Sequence, residues 1–286
     1  MQLAIRRLTG KMMATIKTVL KFHFFMPESE SLVDAWQSLE KHWLIPTTGK
    51  PLPSTPSYGF LRMFLSPFLR PILNAKMNGL HHIPRKGPVI LAANHLSHVD
   101  PIFVIASARR TTHYLAKDGH FKNAFMRVAM RATGQIETKR DKGGEGALSS
   151  AADVLDSGQA LGIFPEGTRS KRTEQPFLLP GKTGIARLAA SYPDTVVVPM
   201  ALMGTREMMK PQDHKAPRLW RPIALSAGQG VTWIEWLKDP EGGNTNAQDL
   251  FQLSTKEEHE IRASLALLYR KFTDQIMGSI SALGAP

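Results

Sequence analysis

The chain has 286 residues, of which 42% are hydrophobic and 21% charged, an ordinary globular composition that can bury a substantial core. Its 36 Lys and Arg against 24 Asp and Glu give a formal charge of +12, which favours anionic partners: nucleic acid, phosphorylated metabolites or the acidic face of a membrane. Cysteine is absent, which excludes disulfides, thiolate metal sites and a cysteine acyl-enzyme and fits a reducing compartment.

Along the chain, Ala4 to Phe25 predicts a basic amphipathic helix, with Ile5, Leu8, Met12, Ile16 and Val19 at helical spacing among Arg6, Arg7, Lys11, Lys17 and Lys21. Lys17 and Lys21 interrupt any apolar run that a secretory signal would need. Ser31 to Leu44 predicts a second helix, and Pro46 to Pro56 a stiff, turn-rich linker. Tyr58 to Lys76 is another basic, apolar stretch. A spanning helix needs about 18 or more consecutive apolar residues, and the best window, Tyr58 to Ala75, carries Arg62, Pro67, Arg70 and Pro71. The expectation is a chain that lies on a membrane rather than crosses one.

From Asn78 onward apolar strands alternate with helical stretches. The predicted strands are Val89–Ala93, Thr112–Ala116, Gln135–Thr138, Ala160–Phe164, Thr195–Leu202 and Gly230–Trp236. Pro101–Ala108, Asn123–Thr133, Gly144–Ser157 and Thr183–Ser191 read as the helices between them, and Thr255–Ile280 as a closing amphipathic helix. This alternation predicts an α/β fold with a mostly parallel central sheet flanked by helices. The expected organisation is residues 1–56 as a basic helical segment with a Pro-rich linker, 57–77 as an interfacial helical segment, and 78–286 as the α/β domain. Residues 204–228, rich in Pro, Arg and Lys, read as a surface insertion within that domain.

Two short stretches carry chemistry. In Asn94-His95-Leu96-Ser97-His98-Val99-Asp100 a histidine follows an apolar strand, and a carboxylate follows it at a predicted strand-to-helix turn. An imidazole with an unperturbed pKa of about 6.5 suits proton abstraction near neutral pH. A neighbouring carboxylate would keep one ring nitrogen protonated and stabilise the imidazolium. Asp100 before Pro101 also fits a helix cap, and for an isolated pair that reading is the commoner one. His98 reads as a solvated loop residue. Ser97 lacks the G-x-S-x-G elbow of a serine nucleophile, and direct attack by an acceptor needs no acyl-enzyme.

The second stretch, Ile163 to Ser170, places Glu166, Gly167, Thr168 and Arg169 just after a strand. Glycine lets the backbone approach a ligand, and a guanidinium grips phosphate with paired hydrogen bonds. Lys117 and Arg140 follow two other predicted strands, so three cations would converge on one sheet edge beside an anionic head group. Pro180 to Gly184 contains Gly-Lys-Thr but lacks the earlier glycine of a phosphate loop, Pro176 standing there, so nucleotide hydrolysis is not supported.

With Gly134-x-Ile136-x-x-x-Arg140 between these stretches and Val197-Val198-Pro199 after them, the order of blocks resembles the glycerolipid acyltransferases of the 1-acylglycerol-3-phosphate acyltransferase family. The resemblance covers about Asn78 to Gly204. It implies that His95 is the base and Asp100 its orienting partner. It also implies that Arg140 and Arg169 bind the glycerol phosphate, that Glu166, Gly167 and Thr168 shape that pocket, and that Pro199 belongs to the substrate-binding edge. A two-helix membrane-seated segment before the core is implied too, and Tyr58–Lys76 is its place here. The family's Lys-x-Gly block usually follows an aromatic residue, whereas Gly181 precedes Lys182 in this chain.

The reaction so implied moves a fatty acyl group from acyl-CoA, or from acyl carrier protein, to the sn-2 hydroxyl of 1-acylglycerol 3-phosphate. It needs no cofactor beyond that thioester co-substrate, and no metal. The expected partners are an anionic membrane surface at the cytoplasmic face, a lysophospholipid, the thioester and an acyl carrier protein as a possible donor. Rival readings are a relative acting on another lysolipid or on glycerol 3-phosphate, a non-catalytic membrane-docking relative, and a nucleic-acid binder. The last lacks any reading motif or lysine-aromatic pattern, so the basicity is assigned to lipid and no nucleic acid is expected.

Overall fold

The computed structural model describes residues 28–53, 55, 58, 75–117, 134–138, 143–210 and 217–286. Its centre is a seven-stranded sheet built from β1 (Ala75–Asn78), β2 (Val89–Ala93), β3 (Thr112–Lys117), β4 (Ile136–Thr138), β5 (Ala160–Ile163), β6 (Val196–Met203) and β7 (Ile223–Ala227). Their spatial order is β1-β7-β6-β2-β5-β3-β4. Strands β6, β2, β5, β3 and β4 run parallel, while β7 is antiparallel to β6 and β1 is parallel to β7. The predicted α/β layer with a mostly parallel sheet is therefore the observed architecture.

The central strand β2 is buried along its whole length, which a strand covered on both faces requires and which its Val-Ile-Leu-Ala-Ala sequence supplies. Its side chains alternate between two cores. Ile90 and Ala92 join a cluster with Leu161, Leu188, Trp233 and Phe272, whereas Val89, Leu91 and Ala93 join one with Phe103, Val104, Leu202 and Met208. Helix α3 (Asp100–Ala108) packs in the second cluster; α4 (Gly143–Asp156), α5 (Gly184–Ser191) and the long closing helix α9 (Glu258–Ala282) pack in the first.

Residues 28–45 are part of this core and not of a separate N-terminal segment, a correction to the expected organisation. The helix predicted over Ser31–Leu44 is two helices, α1 (Glu28–Gln37) and α2 (Glu40–Trp43). They are parted where the Ser38 hydroxyl donates to the Ala35 carbonyl, a local bond that competes with helix continuation. Trp36 is fully buried, stacks on Trp43 at 5.7 Å and tilts against Trp233 at 5.3 Å. Its indole N–H donates to the Ala190 carbonyl at 2.9 Å. The Pro-rich stretch that follows is pinned as well: the Ile45 amide donates to the Ser191 hydroxyl and the Thr48 amide to Asp153.

Three further differences concern the sheet. Residues 75–78, expected at the end of an interfacial helix and the start of the domain, form the edge strand β1 paired with β7. Residues 204–228, expected as an irregular insertion, contain the short helix α6 (Thr205–Met208) and the sheet strand β7. The strand expected over Gly230–Trp236 is a single bridge at Val231 followed by helix α7 (Trp233–Lys238). A capping box starts that helix, with Thr232 accepting from the Glu235 amide and Glu235 from the Thr232 amide. Another, on Asn246 and Asp249, starts helix α8 (Ala247–Ser254), which the pattern reading lacked. The helices predicted at Ala4–Phe25 and Asn123–Thr133, and nearly all of the Tyr58–Lys76 stretch, lie outside the described residues. Among the described residues no helix is long and apolar enough to cross a membrane.

Replacing Trp36 with Ala removes a filled core position and is expected to cost about 3–5 kcal/mol. Urea unfolding measures this as a lowered midpoint; an unchanged midpoint would put residues 28–45 outside the cooperative core.

Candidate active site

The parallel strands β2, β5, β3 and β4 end at one edge of the sheet, where open α/β sheets hold ligands. His95 follows β2, the Phe164–Ser170 loop follows the neighbouring β5, and Lys117 is the last residue of β3. Arg140 lies just beyond β4 and outside the described residues, as does the side chain of Lys117. The backbone thus brings the strand ends carrying these positions into a row.

Asp100 opens helix α3, with Pro101 in its first turn, but its carboxylate does not cap that helix. It reaches backward instead. Its Oδ2 accepts from the amides of Leu96 and Ser97, each at 2.6 Å, and from His95 Nδ1 at 2.9 Å. The fully buried carboxylate thereby closes the His95–Asp100 loop on itself, and it makes Nδ1 the protonated ring nitrogen. Nε2 is left to accept a proton from outside. The His95 side chain is 18% exposed, enough for access, and its ring stacks nearly parallel on Phe164 with centroids 4.0 Å apart.

Asn94 anchors the start of the loop. Its side-chain amide donates to the Leu202 carbonyl at 3.0 Å and accepts from the Leu202 amide at 2.7 Å, continuing the ladder between β2 and β6. Ser97 donates its hydroxyl to the Met209 carbonyl, so it is structural and not a nucleophile aimed at substrate.

Glu166 has a different place from the one expected of it. It is 2% exposed, and both carboxylate oxygens are engaged by backbone: Oε1 accepts from the His95 amide at 2.6 Å and Oε2 from the Leu179 amide at 3.0 Å. The Ser170 amide returns a bond to the His95 carbonyl at 3.0 Å. Glu166 therefore positions His95 rather than lining a phosphate pocket. Burial pushes its carboxyl up to about 7, opposed by the two backbone donors and the Arg172 charge and reinforced by Asp100.

Gly167 adopts φ +67°, the left-handed conformation, in a turn closed by its amide on the Phe164 carbonyl. The space beside it is taken by the Lys182 side chain, whose Nζ would lie 3.0 Å from an added Cβ. Lys182 itself is held by its amide on the Pro165 carbonyl at 2.8 Å, so this cation sits at the turn even though Gly181 replaces the family's aromatic. Thr168 is exposed beside it. Arg169 meets the exposed His98 through Nη1 and the His98 Nε2. Burial lowers the Arg169 guanidinium from its ordinary value, with the Asp100 charge opposing that shift. Pro199 is buried within β6 opposite Ala92, the penultimate residue of β2, with its ring beside Gly228.

Tyr114 is a neighbour that motif reading missed. It stacks on Phe164, ring centroids 5.1 Å apart, over a gap in β5 that only Gly162 leaves open. An aromatic facing a glycine across adjacent strands was the available signal.

Residues 74–203 match the family model for acyltransferases. The chain is 28% identical over 157 residues to a chloroplastic 1-acyl-sn-glycerol-3-phosphate acyltransferase of Arabidopsis thaliana, covering 52% of this chain and 41% of that one. It is 28% identical over 131 residues to the 1-acyl-sn-glycerol-3-phosphate acyltransferase of Borreliella burgdorferi, covering 45% and 51%. To that of Helicobacter pylori it is 32% identical over 160 residues, covering 54% and 66%. The crystal structure of a 1-acyl-sn-glycerophosphate acyltransferase from Thermotoga maritima aligns with TM-score 0.45 and 17% identity, over 86% of this chain and 94% of that one. The chain spans about half the length of the curated relatives it matches. Residues 74–203 are thus a domain of the acyltransferase family, and the relatives that this part of the chain matches are named 1-acyl-sn-glycerol-3-phosphate acyltransferases.

Glu166→Gln must turn an amide NH2 toward one of two backbone N–H groups, leaving a buried donor unpaired at a cost of about 1–3 kcal/mol. Because folding raises the Glu166 pKa from 4.5 to about 7, its contribution is fully present below pH 4.5 and is lost as pH rises through 7. The stability difference between natural protein and Glu166→Gln, measured by urea unfolding, should therefore shrink from pH 5 to pH 8. A gap constant with pH would contradict the assignment.

Proposed function

We propose that the protein transfers a fatty acyl group from an acyl thioester, acyl-CoA or acyl carrier protein, to the sn-2 hydroxyl of 1-acylglycerol 3-phosphate, giving phosphatidic acid. The observation that carries this reading is the His95–Asp100 pair, with Nδ1 engaged and Nε2 open at the strand edge beside Arg169. Family membership and the names of the relatives support the acceptor. In the reaction, His95 Nε2 takes the proton of the acceptor hydroxyl as its oxygen attacks the thioester carbonyl carbon. The carbon–sulfur bond of the tetrahedral intermediate then breaks, and the imidazolium returns the proton to the departing thiolate. Asp100 stabilises the imidazolium in between.

Arg169, with Lys117 and Arg140, is the proposed grip on the glycerol phosphate, and Lys182 stands close enough to the same turn to add a charge. The chemistry needs no cofactor besides the thioester. The basic stretch over Ala4–Phe25 and the segment between Tyr58 and β1 are the proposed seats on the anionic cytoplasmic face of a membrane, as a monotopic or peripheral protein.

Loss of a general base lowers turnover by roughly 10²–10⁴-fold. Thiol release from palmitoyl-CoA should depend on added lysophosphatidic acid and fall by that factor in His95→Ala and Asp100→Asn, with folding retained by circular dichroism. Release that persists in folded His95→Ala would overturn the mechanism. Release with glycerol 3-phosphate in place of the lysolipid would move the acceptor within the family.

A further inference from the structure

Between α6 and β7 the chain makes a tight turn, Arg218 to Arg221, closed by the Arg221 amide donating to the Arg218 carbonyl at 3.1 Å. Leu219 and Trp220 form its tip. Trp220 is 74% exposed and Leu219 45%, unlike the other four tryptophans of the chain, Trp36, Trp43, Trp233 and Trp236, which are all buried. Leaving so much aromatic surface in water costs free energy that a soluble neighbour could have removed. An arginine stands on each side.

The turn has a defined relation to the catalytic loop. Strand β7 runs antiparallel to β6, with Ala224 opposite Met203, so the turn that precedes β7 lies at the C-terminal edge of β6, the edge on which His95 stands. The Arg218 amide donates to the Met208 carbonyl at 2.9 Å, and the next carbonyl, that of Met209, accepts the Ser97 hydroxyl at 2.7 Å. Directly after that loop in the chain Ile102, in the first turn of α3, is 48% exposed. Three of the large exposed apolar side chains thus border the edge that carries His95, Arg169 and Lys182. Apolar tips with a charged flank fit the boundary between acyl chains and phosphates: the aromatic and aliphatic surface enters the acyl region while guanidinium groups meet the head groups.

We propose that the Arg218–Arg221 turn, with Ile102, is a docking surface for an anionic phospholipid bilayer, and that it seats the His95 edge on the membrane from which the lysolipid enters. This rests on the lipid acyl-transfer reading of the same site. It assigns lipid contact to the α/β core itself, in addition to the N-terminal segments.

Trp220 is its own reporter, because the remaining tryptophans are buried in the core. Titrating the full chain with vesicles of phosphatidylglycerol and phosphatidylcholine should shift the emission to the blue, and brominated acyl chains should quench it. Trp220→Phe should abolish the shift and the quenching. Trp220→Glu should weaken vesicle partitioning by about tenfold or more. Arg218→Gln with Arg221→Gln should weaken binding to anionic but not to purely phosphatidylcholine vesicles. With a monomeric short-chain lysolipid and a soluble thioester, Trp220→Glu should keep natural turnover while losing it on vesicle-borne lysolipid. Emission that stays unshifted on vesicles which do bind the protein would overturn the docking proposal and leave the catalytic reading intact. So would a blue shift caused by self-association without lipid. Loss of turnover on the monomeric substrate in the natural chain would instead sink the catalytic reading.

Discussion

Two buried carboxylates hold the one loop on which the chemistry depends. Asp100 gathers the amides of Leu96 and Ser97 and the imidazole of His95, and Glu166 gathers the His95 amide from the adjoining strand end. Buried carboxylates are costly, and backbone N–H donors at 2.6 Å offset part of that cost at Asp100 Oδ2 and at Glu166 while shaping the loop; Asp100 Oδ1 is buried without a hydrogen-bond partner among the described residues. The same bonds that stabilise the carboxylates leave the imidazole with one nitrogen engaged and one open. Stability and catalytic orientation are thus consequences of one set of contacts.

The sheet supplies the frame for that loop. Parallel pairing of β2 with β5 and β6 sets the ends of these strands side by side, so residues remote in sequence meet without further devices. Asn94 extends the β2–β6 ladder by a side-chain pair, keeping the loop close to the sheet before it turns. From the end of β6 through α6 the chain stays at that edge until β7 runs back from it, which is how the Trp220 turn comes to stand beside the catalytic loop.

Much of the fold was legible because burial on both faces leaves an apolar run. Val89–Ala93 is the clearest case, and its boundaries match β2. Strand β7 was hidden because Ile-Ala-Leu-Ser-Ala is short and mild in its β preference and stands in a Pro- and Arg-rich stretch. Helix α7, Trp233–Lys238, is hidden inside the strand pattern of Gly230–Trp236 because alternation in Val-Thr-Trp-Ile-Glu-Trp outweighs the Thr232–Glu235 capping box, which is present in the sequence. The His95–Asp100 partnership was legible only through the order of blocks that carries the family resemblance, since local spacing alone favours a helix cap at Asp100. The role of Glu166 was not, since it depends on an oxygen meeting an amide from another strand, a contact no local pattern encodes. Pro199 was carried over with its block, yet its strand register buries it in the sheet.

Catalysis at this site depends on Asp100 holding the proton on Nδ1 of His95 and leaving Nε2 free. Long-range proton–nitrogen NMR on protein labelled with nitrogen-15 histidine reads this directly in the neutral imidazole. The Nδ1–H form is expected for His95, with the Nε2–H form gaining population in Asp100→Asn. A neutral His95 carrying its proton on Nε2 in the natural protein would contradict it, because no lone pair would then face the acceptor hydroxyl.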